Sequence, residues 1–531
     1  MADGSGAFNF PLPQHSQLRP GEIVVDLFAG GGGASEALKQ ALGVDPALAY
    51  NHDEWAIGMH AANHPMTSHH REDIWHADPR VDVAGRLVGW FHASPDCTHF
   101  SQAKGGQPRN RKIRALTWVV LKWCGQLGKI GLAPRILSLE NVWQILTWGP
   151  LVAKRDKATG RVLKLDGTVA AKGERVPVEL QQLVPDKRHS GRTWRQFVAA
   201  LEGLGYVVEW RKLVASDYGA GTSRERLFLC ARRDGEPVVW PVPTHGKAEG
   251  LLPLVTAADC IDFTDLGRSI FDRPKPLADA TLRRIAKGIV KHVVEADEPF
   301  FLTEFANASN GRTWSGMEPL RTQCAGVKGG HFAMVAPVLA TLRNNMDGAD
   351  VRTPLRTVAA GGEHHAVVAA FLEQACSGYY TGAGQDLRRP APTICAKGSI
   401  QRLVTVDLSA EVDERAARVA SFLVNYYGNG TALSLREPLD TVTTRDRMAL
   451  VTVVLNGTAY VIVDIRLRML RPHELFLAQG FPRGYVIDRT ADGRPITTTA
   501  AVRMVGNSVS PPPLCALARA NLDPAPVRLA A

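Results

Sequence analysis

The chain has 531 residues, of which 45% are hydrophobic and 21% are charged. This composition excludes a disordered or fibrous protein, and at roughly 100–200 residues per domain the length predicts two to four structural units. The 62 Lys and Arg residues outnumber the 52 Asp and Glu residues, which gives a net charge of +10. The excess suits a polyanionic partner such as nucleic acid, although a merely solvated basic surface would give the same sum.

The eight cysteines include no CxxC pair. Their spacing argues against a zinc site and, in a chain this long, against a disulfide framework. The first residues lack a basic segment followed by an apolar run, and no uncharged apolar stretch reaches the ~18–20 residues that cross a bilayer. We therefore expect a soluble protein of a reducing, cytoplasmic compartment.

Residues 22–145 alternate short β-branched runs with helical patterns, which predicts βαβ units and a parallel sheet. In chain order the predicted elements are strand 23–28, helix 34–42, strands 48–51 and 90–93, helix 116–127 and strand 136–140. Residues 151–192 interrupt this order with ten basic and five acidic residues, and we expect a basic insertion or long loop there. The pattern resumes with helix 194–204 and strands 206–213 and 226–231.

A repeat marks the region from about 300 to 455. Pro-x-x-Thr recurs there four times, each copy preceded by a polar, Gly-containing stretch and followed by a short apolar strand. The copies begin at Pro319, Pro354, Pro390 and Pro438. Spacings of 35, 36 and 48 residues predict stacked β-hairpin units. A coincidence of Pro and Thr usage is the alternative.

The segment from Val24 to Gly33 reads Val-Val-Asp-Leu-Phe-Ala-Gly-Gly-Gly-Gly and joins a predicted strand to a predicted helix. Glycines at the carboxyl end of a parallel strand let the backbone pass close to a nucleotide-type cofactor. Ser35 occupies the third glycine position of GxGxxG, so the dinucleotide fingerprint is not met. The pattern suits S-adenosylmethionine instead, with Phe28 available to lie on adenine; a plain glycine-rich turn is the alternative.

Three further motifs carry reactive side chains. Cys97 follows Ser-Pro-Asp at a strand end, and the basic segment 104–114 downstream contains no acid. Positive surroundings favour the nucleophilic thiolate, although a lone cysteine is more often a small buried hydrophobe. Glu140 also stands at a strand terminus, and Arg224 and Arg226 at positions i and i+2 can face one side of another strand.

Two C-terminal motifs, Ala-Gln-Gly-Phe-Pro over 478–482 and Val-Gly-Asn-Ser-Val over 505–509, complete an ordered set of six. In this order and spacing the set resembles that of the DNA (cytosine-5) methyltransferases, over about residues 22–231 and 464–521. The segment Ser-Pro-Asp-Cys-Thr-His-Phe-Ser is similar to a phage- or prophage-like subgroup of that family.

The resemblance implies an α/β fold. A Rossmann-like, S-adenosylmethionine-dependent methyltransferase core would span 22–240 and 464–521, and a mainly β target-recognition region over 241–463 would be inserted before the C-terminal motifs. The resemblance also implies double-stranded DNA as partner, S-adenosylmethionine as cofactor, no metal and no membrane. The protein would act as a monomer in a bacterial or phage-infected cell, with or without a cognate restriction enzyme.

The resemblance further implies residue roles. Cys97 would attack cytosine C6, Glu140 would hydrogen-bond or protonate ring N3, and Arg226 would contact the base carbonyl with support from Arg224. The cofactor pocket would be formed by Asp26, Phe28, Gly30, Gly32, Asn51, Asp53, Asp73, Pro95, Asn507 and Val509. Within it, Asp73 would meet the adenine amino group and Asn507 would hold the methionine end.

Three positions depart from the usual family pattern. Asp96 stands beside the cysteine where the family usually has proline, and Thr222 stands where a glutamine usually begins the arginine motif. Asn51 stands where an acid usually binds the ribose, which leaves Asp53 as a less certain substitute. These changes affect contacts to cofactor and base and remove no group that the mechanism needs.

The chemistry also follows from the residues. Thiolate addition at C6, with an acid near N3, makes C5 nucleophilic enough to accept a methyl group. The base must leave the helix stack, and phosphate contacts from basic segments such as 104–114 and 151–192 can offset that cost. An RNA cytosine-5 methyltransferase and a non-catalytic DNA-binding relative remain alternatives. The histidines at 69–70, 99 and 364–365 show no metal-ligand spacing.

Overall fold

The computed structural model describes residues 16–96, 100, 114–262, 268–277 and 464–524, together with individual residues and strands between 282 and 463. Cys97 and the basic segment up to residue 113 lie outside the described residues.

A seven-stranded sheet forms the centre of the molecule. Its strands are β1 (Glu22–Leu27), β2 (Leu48–Tyr50), β3 (Ser68–His70), β4 (Leu87–Ala93), β5 (Ile136–Asn141), β6 (Val207–Val214) and β7 (Glu225–Arg232). They are ordered β3-β2-β1-β4-β5-β7-β6. The first five in this order are parallel, and β7 is antiparallel to both of its neighbours. The order reverses direction between β1 and β4, where open α/β sheets bind ligands.

Helices cover both faces of this sheet. They are α1 (Gly33–Leu42), α2 (Glu54–Asn63), α3 (Pro79–Asp82), α4 (Trp118–Gly128), α5 (Arg192–Gly203), α6 (Pro472–Gln479), α7 (Thr498–Asn507) and α8 (Pro511–Asn521). Short 3₁₀ turns span Trp143–Thr147, Val178–Leu180, Lys187–His189, Ala215–Tyr218 and Ala258–Cys260. None of the helices in the described part of the chain is long and apolar enough to cross a membrane.

Strand alternation divides the hydrophobic core in two. Successive side chains of a strand point to opposite faces, so Val25 packs with Phe91 and Trp123 on the α4 side, whereas Val24 packs with Trp90 on the other. On that second face α1 presents Ala34, Ala37, Leu38 and Ala41, at helical spacing, and packs against α8. The C-terminal segment is therefore part of the same core as the glycine-rich motif.

The predicted α/β core is confirmed, and the predicted elements match the observed ones closely. The largest shift is at β4, which begins three residues before the predicted 90. Among the described residues between β1 and β5, the elements α2, β3 and α3 were not predicted, and neither were the C-terminal helices α6, α7 and α8. The missed strand β3 is the polar tripeptide Ser-His-His, and α2 buries His60 beside Ala56 and Met59, so neither shows a clear apolar periodicity.

The basic insertion is a small β-structured unit. Leu151–Ala153 pairs antiparallel with Leu183–Pro185, and isolated bridges join Arg155 to Val162 and Leu163 to Val169 between them. The unit leaves the core just after the Trp143–Thr147 turn, beyond the carboxyl end of β5.

A second, ten-stranded sheet accounts for most strands after residue 262. Its strands are Arg268–Ser269, Phe301–Thr303, Thr313–Ser315, Ala333–Val335, Val338–Leu342, Ala349–Asp350, His364–Gln374, Gln401–Ser409, Thr452–Leu455 and Thr458–Met469. The mainly β character predicted for this region is confirmed. The stacked Pro-x-x-Thr units stay a prediction, because the four prolines lie outside the described residues.

Two short strand pairs join distant parts of the chain. Ser16–Gln17 pairs antiparallel with Asp523–Pro524. Thr222–Ser223, which directly precedes Arg224 and its neighbour Arg226, pairs parallel with Leu320–Arg321 in the region of the second sheet. The arginine motif is thus tied to the region predicted to read the target.

Candidate active site

The carboxyl ends of the parallel strands gather the predicted site residues at one edge of the sheet. Phe28 and the glycines follow β1, Asn51 follows β2, and Pro95 follows β4. Glu140 is the penultimate residue of β5. Ser94 ties two of these ends together, because its hydroxyl donates to the Phe28 carbonyl at 3.3 Å. Cys97 comes two residues after Pro95 in sequence, so the chain leads to it from this edge.

The loop after β1 is held in an unusual backbone conformation. Gly30 and Gly32 have φ of 55° and 100°, and Phe28 has φ of 63° although it is not a glycine. Non-glycine residues rarely adopt this region, and when they do it is often at functional sites. Among the described residues, a Cβ atom on Gly30 would meet only the Phe28 carbonyl oxygen, at 3.9 Å, which leaves room for a ligand on that side of the loop.

The opposite side of the loop is closed by the C-terminal segment. The Tyr485 hydroxyl donates to the Gly31 carbonyl at 2.6 Å, and a Cβ atom on Gly32 would collide with that hydroxyl. A Cβ atom on Gly33 would likewise collide with Ser508 and Val509 of the last motif. Only glycine at these positions lets the two distant segments come together.

Other predicted cofactor residues lie near the loop but already have protein partners. The Asn51 side-chain oxygen accepts from the Asp53 backbone at 2.9 Å. Asp53 caps α2 by accepting from the Ala56 backbone at 3.1 Å, and its carboxylate pairs with Arg503 at 2.6 Å. The cofactor roles predicted for Asn51 and Asp53 stay predictions.

Two further predicted residues are exposed. Asp73 accepts a hydrogen bond from the Trp75 backbone at 3.1 Å and faces solvent. Asn507 is exposed at the C-terminal end of α7. Both are accessible to a ligand at this edge, and their assigned roles stay predictions.

Glu140 lies between the two predicted arginines. Its Oε1 atom is 3.1 Å from Arg226 Nε and 3.8 Å from Arg224 Nη2, and all three side chains are buried. Arg224 also donates to the Gly506 carbonyl at 3.2 Å, which links this cluster to the C-terminal motif. Within the described residues Glu140 Oε1 is paired with Arg226 by charge and distance, but the contact does not have the geometry of a hydrogen bond. A buried carboxylate oxygen of this kind is suited to meet a polar ring atom of a ligand.

Asn141, which was not singled out from the sequence, fixes the turn that precedes Cys97. Its Nδ2 group donates to the Pro95 carbonyl at 2.9 Å, and its side-chain oxygen accepts from the Val142 backbone at 2.9 Å. Asn141 is completely buried. The only hint in the sequence is its place beside Glu140 in the third motif.

Phe100 and Arg114, which follow Cys97 in the sequence, are held by aromatic packing. Phe100 is buried edge-on against Trp148, and the Arg114 guanidinium lies 4.5 Å from the centre of the Phe100 ring. Arg114 also donates to the Gly149 carbonyl at 3.2 Å. Pro95, Phe100 and Arg114 are therefore all attached to residues in or just after β5.

A buried polar chain lies beneath the glycine loop and was missed from the sequence. Ser35 Oγ is 2.7 Å from Asp26 Oδ2 and 2.8 Å from His60 Nε2, and His60 Nδ1 is 2.8 Å from His69 Nε2. Asp26, Ser35 and His60 are completely buried, whereas His69 is partly exposed. Burial raises the pKa of Asp26 to about 7, although its hydrogen bond with Ser35 opposes the shift. Asp26, which the sequence assigned to cofactor binding, is thus held from below by Ser35.

A second polar contact set reaches the loop from the side. His64 Nδ1 is 3.1 Å from Asp45 Oδ1, and His64 Nε2 is 3.4 Å from the Tyr485 hydroxyl. Burial lowers the pKa of His64 to about 4. Within the described residues, no group of three His, Cys, Asp or Glu side chains is arranged to hold a metal ion.

Part of the chain matches one protein family. Residues 23–149 and 182–288 match the family model described as C-5 cytosine-specific DNA methylase. The gap in that match, residues 150–181, falls in the basic insertion. The type II methyltransferase M.AgeI of Thalassovita gelatinovora is 25% identical over 235 residues, 43% of this chain and 44% of its own length.

A second curated protein is similar over a shorter alignment, and one solved structure aligns at low identity. The type II methyltransferase M.BspRI of Lysinibacillus sphaericus is 40% identical over 73 residues, 13% of this chain and 17% of its own length. The chain thus spans less than half the length of these curated relatives. A solved structure described as a DNA modification methyltransferase encoded within an E. coli prophage aligns at 15% identity, covering 94% of this chain and 97% of that chain, with a TM-score of 0.39.

Proposed function

We propose that this chain, which carries a domain of the C-5 cytosine-specific DNA methylase family, transfers a methyl group from S-adenosylmethionine to C5 of a cytosine in double-stranded DNA. The observation that carries the proposal is the buried cluster of Glu140, Arg224 and Arg226 at the sheet edge from which the chain continues to Cys97. This cluster supplies an acidic group and guanidinium groups at the carboxyl end of β5.

The glycine loop fits the proposed methyl donor. Its open side at Gly30 allows close approach of the backbone, and Phe28, which has positive φ and is partly buried, stands two residues earlier in the same loop. The loop lies at the carboxyl end of β1, next to the point where the strand order reverses. When bound, S-adenosylmethionine would supply the electrophilic methyl group.

The residues of the chain would then divide the chemistry among them. The Cys97 thiolate adds to cytosine C6, which makes C5 nucleophilic. After C5 has taken the methyl group, a base removes the C5 proton, the C6–sulfur bond breaks and the thiolate leaves. Glu140 holds or protonates ring N3, and Arg226 contacts the base carbonyl. Arg224 stabilises the cluster and fastens it to the C-terminal segment through Gly506. Asn141 positions the nucleophile turn through Pro95.

Double-stranded DNA is the proposed partner. The basic insertion leaves the core at the same sheet edge as Glu140, and several of its basic residues are exposed: Arg155, Lys157, Lys172, Arg175, Lys187 and Arg188. Phosphate contacts position a protein on a duplex without reading its sequence. We assign that role to this insertion and assign target reading to residues 300–455.

The reading role of 300–455 rests on its place between the arginine motif and the Gln-Gly-Phe-Pro motif. The polar stretches before the Pro-x-x-Thr copies contain side chains that can hydrogen-bond to base edges, including Asn307, Asn310, Arg343, Asn344 and Asn345. Each good bidentate pair discriminates between bases by roughly 1–3 kcal/mol. Exchanging this segment for that of a relative with another target should transfer that relative's target. An active chimera that keeps the original target would place recognition elsewhere.

The activity can be tested directly. Methyl transfer from labelled S-adenosylmethionine should occur with duplex DNA and not with transfer RNA, and bisulfite sequencing of host DNA after expression should reveal a defined target. Transfer to RNA alone would favour the RNA alternative.

A Cys97→Ala variant is the matched control. It should bind the methyl donor normally but transfer no methyl group and form no covalent adduct with 5-fluorocytosine DNA, because the thiolate acts only in the chemical step. Turnover above a few per cent of the unmodified protein would contradict the nucleophile assignment.

A further inference from the structure

The polar chain Asp26–Ser35–His60–His69 lies below the proposed cofactor loop. Asp26 stands in β1 two residues before Phe28, and His92 on β4 is its register partner. Both strands flank the point where the sheet order reverses. Within the described part of the chain, Asp26 Oδ1 and His92 Nε2 are buried without a hydrogen-bond partner. One oxygen of Asp26 is therefore held by Ser35, and the other keeps unused hydrogen-bonding capacity on the side of the switch point.

The same atomic positions satisfy two protonation states of this chain. With Asp26 protonated, its O–H group donates to Ser35, Ser35 donates to His60 Nε2, and His60 Nδ1 donates to His69. With Asp26 ionised, all three bonds reverse, and His69 Nε2 becomes the first donor. His60 is neutral in both states, which agrees with burial keeping its pKa well below the ordinary value.

We propose that the polar chain Asp26–Ser35–His60–His69 releases the Asp26 proton when the positively charged methyl donor binds above it. It takes a proton back when the uncharged thioether product replaces the donor. The inference rests on the proposed function, since it takes S-adenosylmethionine as the ligand. A nearby positive charge favours an ionised carboxylate, and the sulfonium carries a charge that the product sulfur lacks.

The transfer balances atom by atom. The Asp26 O–H bond breaks as the proton passes to Ser35, whose own hydrogen passes to His60 Nε2. The Nδ1 hydrogen of His60 passes to His69 Nε2, and the partly exposed His69 gives its Nδ1 hydrogen to water. One proton leaves the protein, and no heavy atom needs to move.

The surroundings leave Asp26 poised between the two states. Because burial raises its pKa to about 7, the protonated and ionised forms are both populated near neutral pH, and a small added field shifts the balance. The ionisable groups packed around the chain are Glu36, Lys39, Asp45, His64, His70, His92 and Tyr485. Burial holds the pKa of His64 at about 4 and that of His92 at about 3, so both are neutral at neutral pH.

Calorimetry measures the proposed release. Titrating the protein with S-adenosylmethionine at pH 7 in two buffers of different ionisation enthalpy gives the number of protons released. We expect up to about half a proton per donor bound, because about half of the Asp26 groups hold a proton at a pH equal to the pKa. Titration with S-adenosylhomocysteine should release clearly less. Equal release with donor and product would overturn the proposal.

Two variants locate the proton. Asp26→Asn should abolish the difference between donor and product. Asp45→Asn should preserve this difference. Asp45 is also a carboxylate hydrogen-bonded to a buried histidine, His64, but it is not part of the polar chain Asp26–Ser35–His60–His69. A difference that persists in Asp26→Asn would overturn the assignment.

Infrared difference spectroscopy gives a second readout on the unmodified protein, which decides the question if Asp26→Asn fails to fold. Donor binding should remove the carbonyl band of a protonated carboxyl group. Donor binding without loss of this band would refute the relay and leave the methyltransferase proposal intact. A complete failure to bind the donor would refute both.

Discussion

Alanine at Gly30 and at Gly32 should separate the two sides of the glycine loop. At Gly30 the added Cβ atom would meet, among the residues that the structure describes, only the Phe28 carbonyl oxygen, at 3.9 Å, and it would point into the space proposed for the methyl donor. At Gly32 it would collide with the Tyr485 hydroxyl and lie 3.1 Å from His64 Nε2. One substitution therefore tests the ligand side of the loop and the other tests its protein side.

The expected magnitudes differ accordingly. Both glycines have positive φ, and an L-residue in the left-handed region costs ~1–2 kcal/mol. Gly30→Ala should lose about that much stability but at least about tenfold in donor affinity, ~1.4 kcal/mol. Gly32→Ala should also displace Tyr485 from the Gly31 carbonyl, and each buried polar group left without a partner costs ~1–3 kcal/mol. Its total loss of stability should be about 2–5 kcal/mol.

Urea unfolding and donor titration by calorimetry measure the two effects. Gly85→Ala is the matched control, since Gly85 has φ of 75°, has nothing within 4 Å of an added Cβ atom, and lies in the turn before β4, away from the site. It should show the backbone cost and unchanged donor affinity. Normal donor binding by Gly30→Ala would refute the cofactor loop. Stability of Gly32→Ala equal to that of Gly85→Ala would refute the seating of Tyr485.

Three further outcomes are expected. Glu140→Gln should slow methyl transfer by ~10²–10⁴-fold in single-turnover assays, because glutamine can hydrogen-bond to N3 but cannot protonate it, while DNA affinity changes little; near-normal turnover would make Glu140 structural. Replacing Lys157, Lys172 and Arg175 with Gln should make the slope of log binding constant against log salt concentration less steep, by up to about 0.9 per lost phosphate contact. Lys129→Gln, before β5 at the opposite sheet edge, should leave this slope unchanged. Because the pKa of Asp26 rises to about 7 on folding, its contribution to stability is complete below pH 3.8 and lost as pH rises to 7. Relative to Asp26→Asn, the unmodified protein should therefore lose about 3 kcal/mol between pH 5 and pH 8 in urea unfolding, and a constant difference would contradict that pKa.

The sequence was sufficient for the elements that follow simple periodicities. β1 has apolar residues on both of its faces, Ile23 to Val25 and Leu27, because both faces of the sheet are covered. α1 shows apolar residues at helical spacing because one of its faces packs in the core. The glycines after β1 were also readable, since close backbone approach requires them. These local rules are enough to place the proposed cofactor loop and Glu140 at strand ends.

The same rules could not find groups whose burial depends on polar partners. His60 and His69 look like surface residues in sequence, yet His60 is completely buried because Ser35 and His69 satisfy both of its ring nitrogens. Asn141 was quoted within a motif, but its bond to Pro95 depends on the pairing of β4 with β5. Such contacts are set by three-dimensional neighbours and have no periodic signature.

The contacts of the C-terminal segment show why the proposed cofactor site depends on both ends of the fold. Asn63 at the end of α2 accepts from the Val486 backbone at 2.7 Å and donates to its carbonyl at 2.8 Å, as a neighbouring strand would. These two hydrogen bonds hold Val486 next to Tyr485, whose hydroxyl donates to the Gly31 carbonyl. The segment that makes these contacts begins only after the region proposed to read DNA. The observed contacts of the proposed cofactor loop therefore include a segment that follows that region in the chain. Donor binding is thus a direct measure of correct closure in any chimera of residues 300–455, and a chimera that binds donor but methylates nothing would have failed at the DNA.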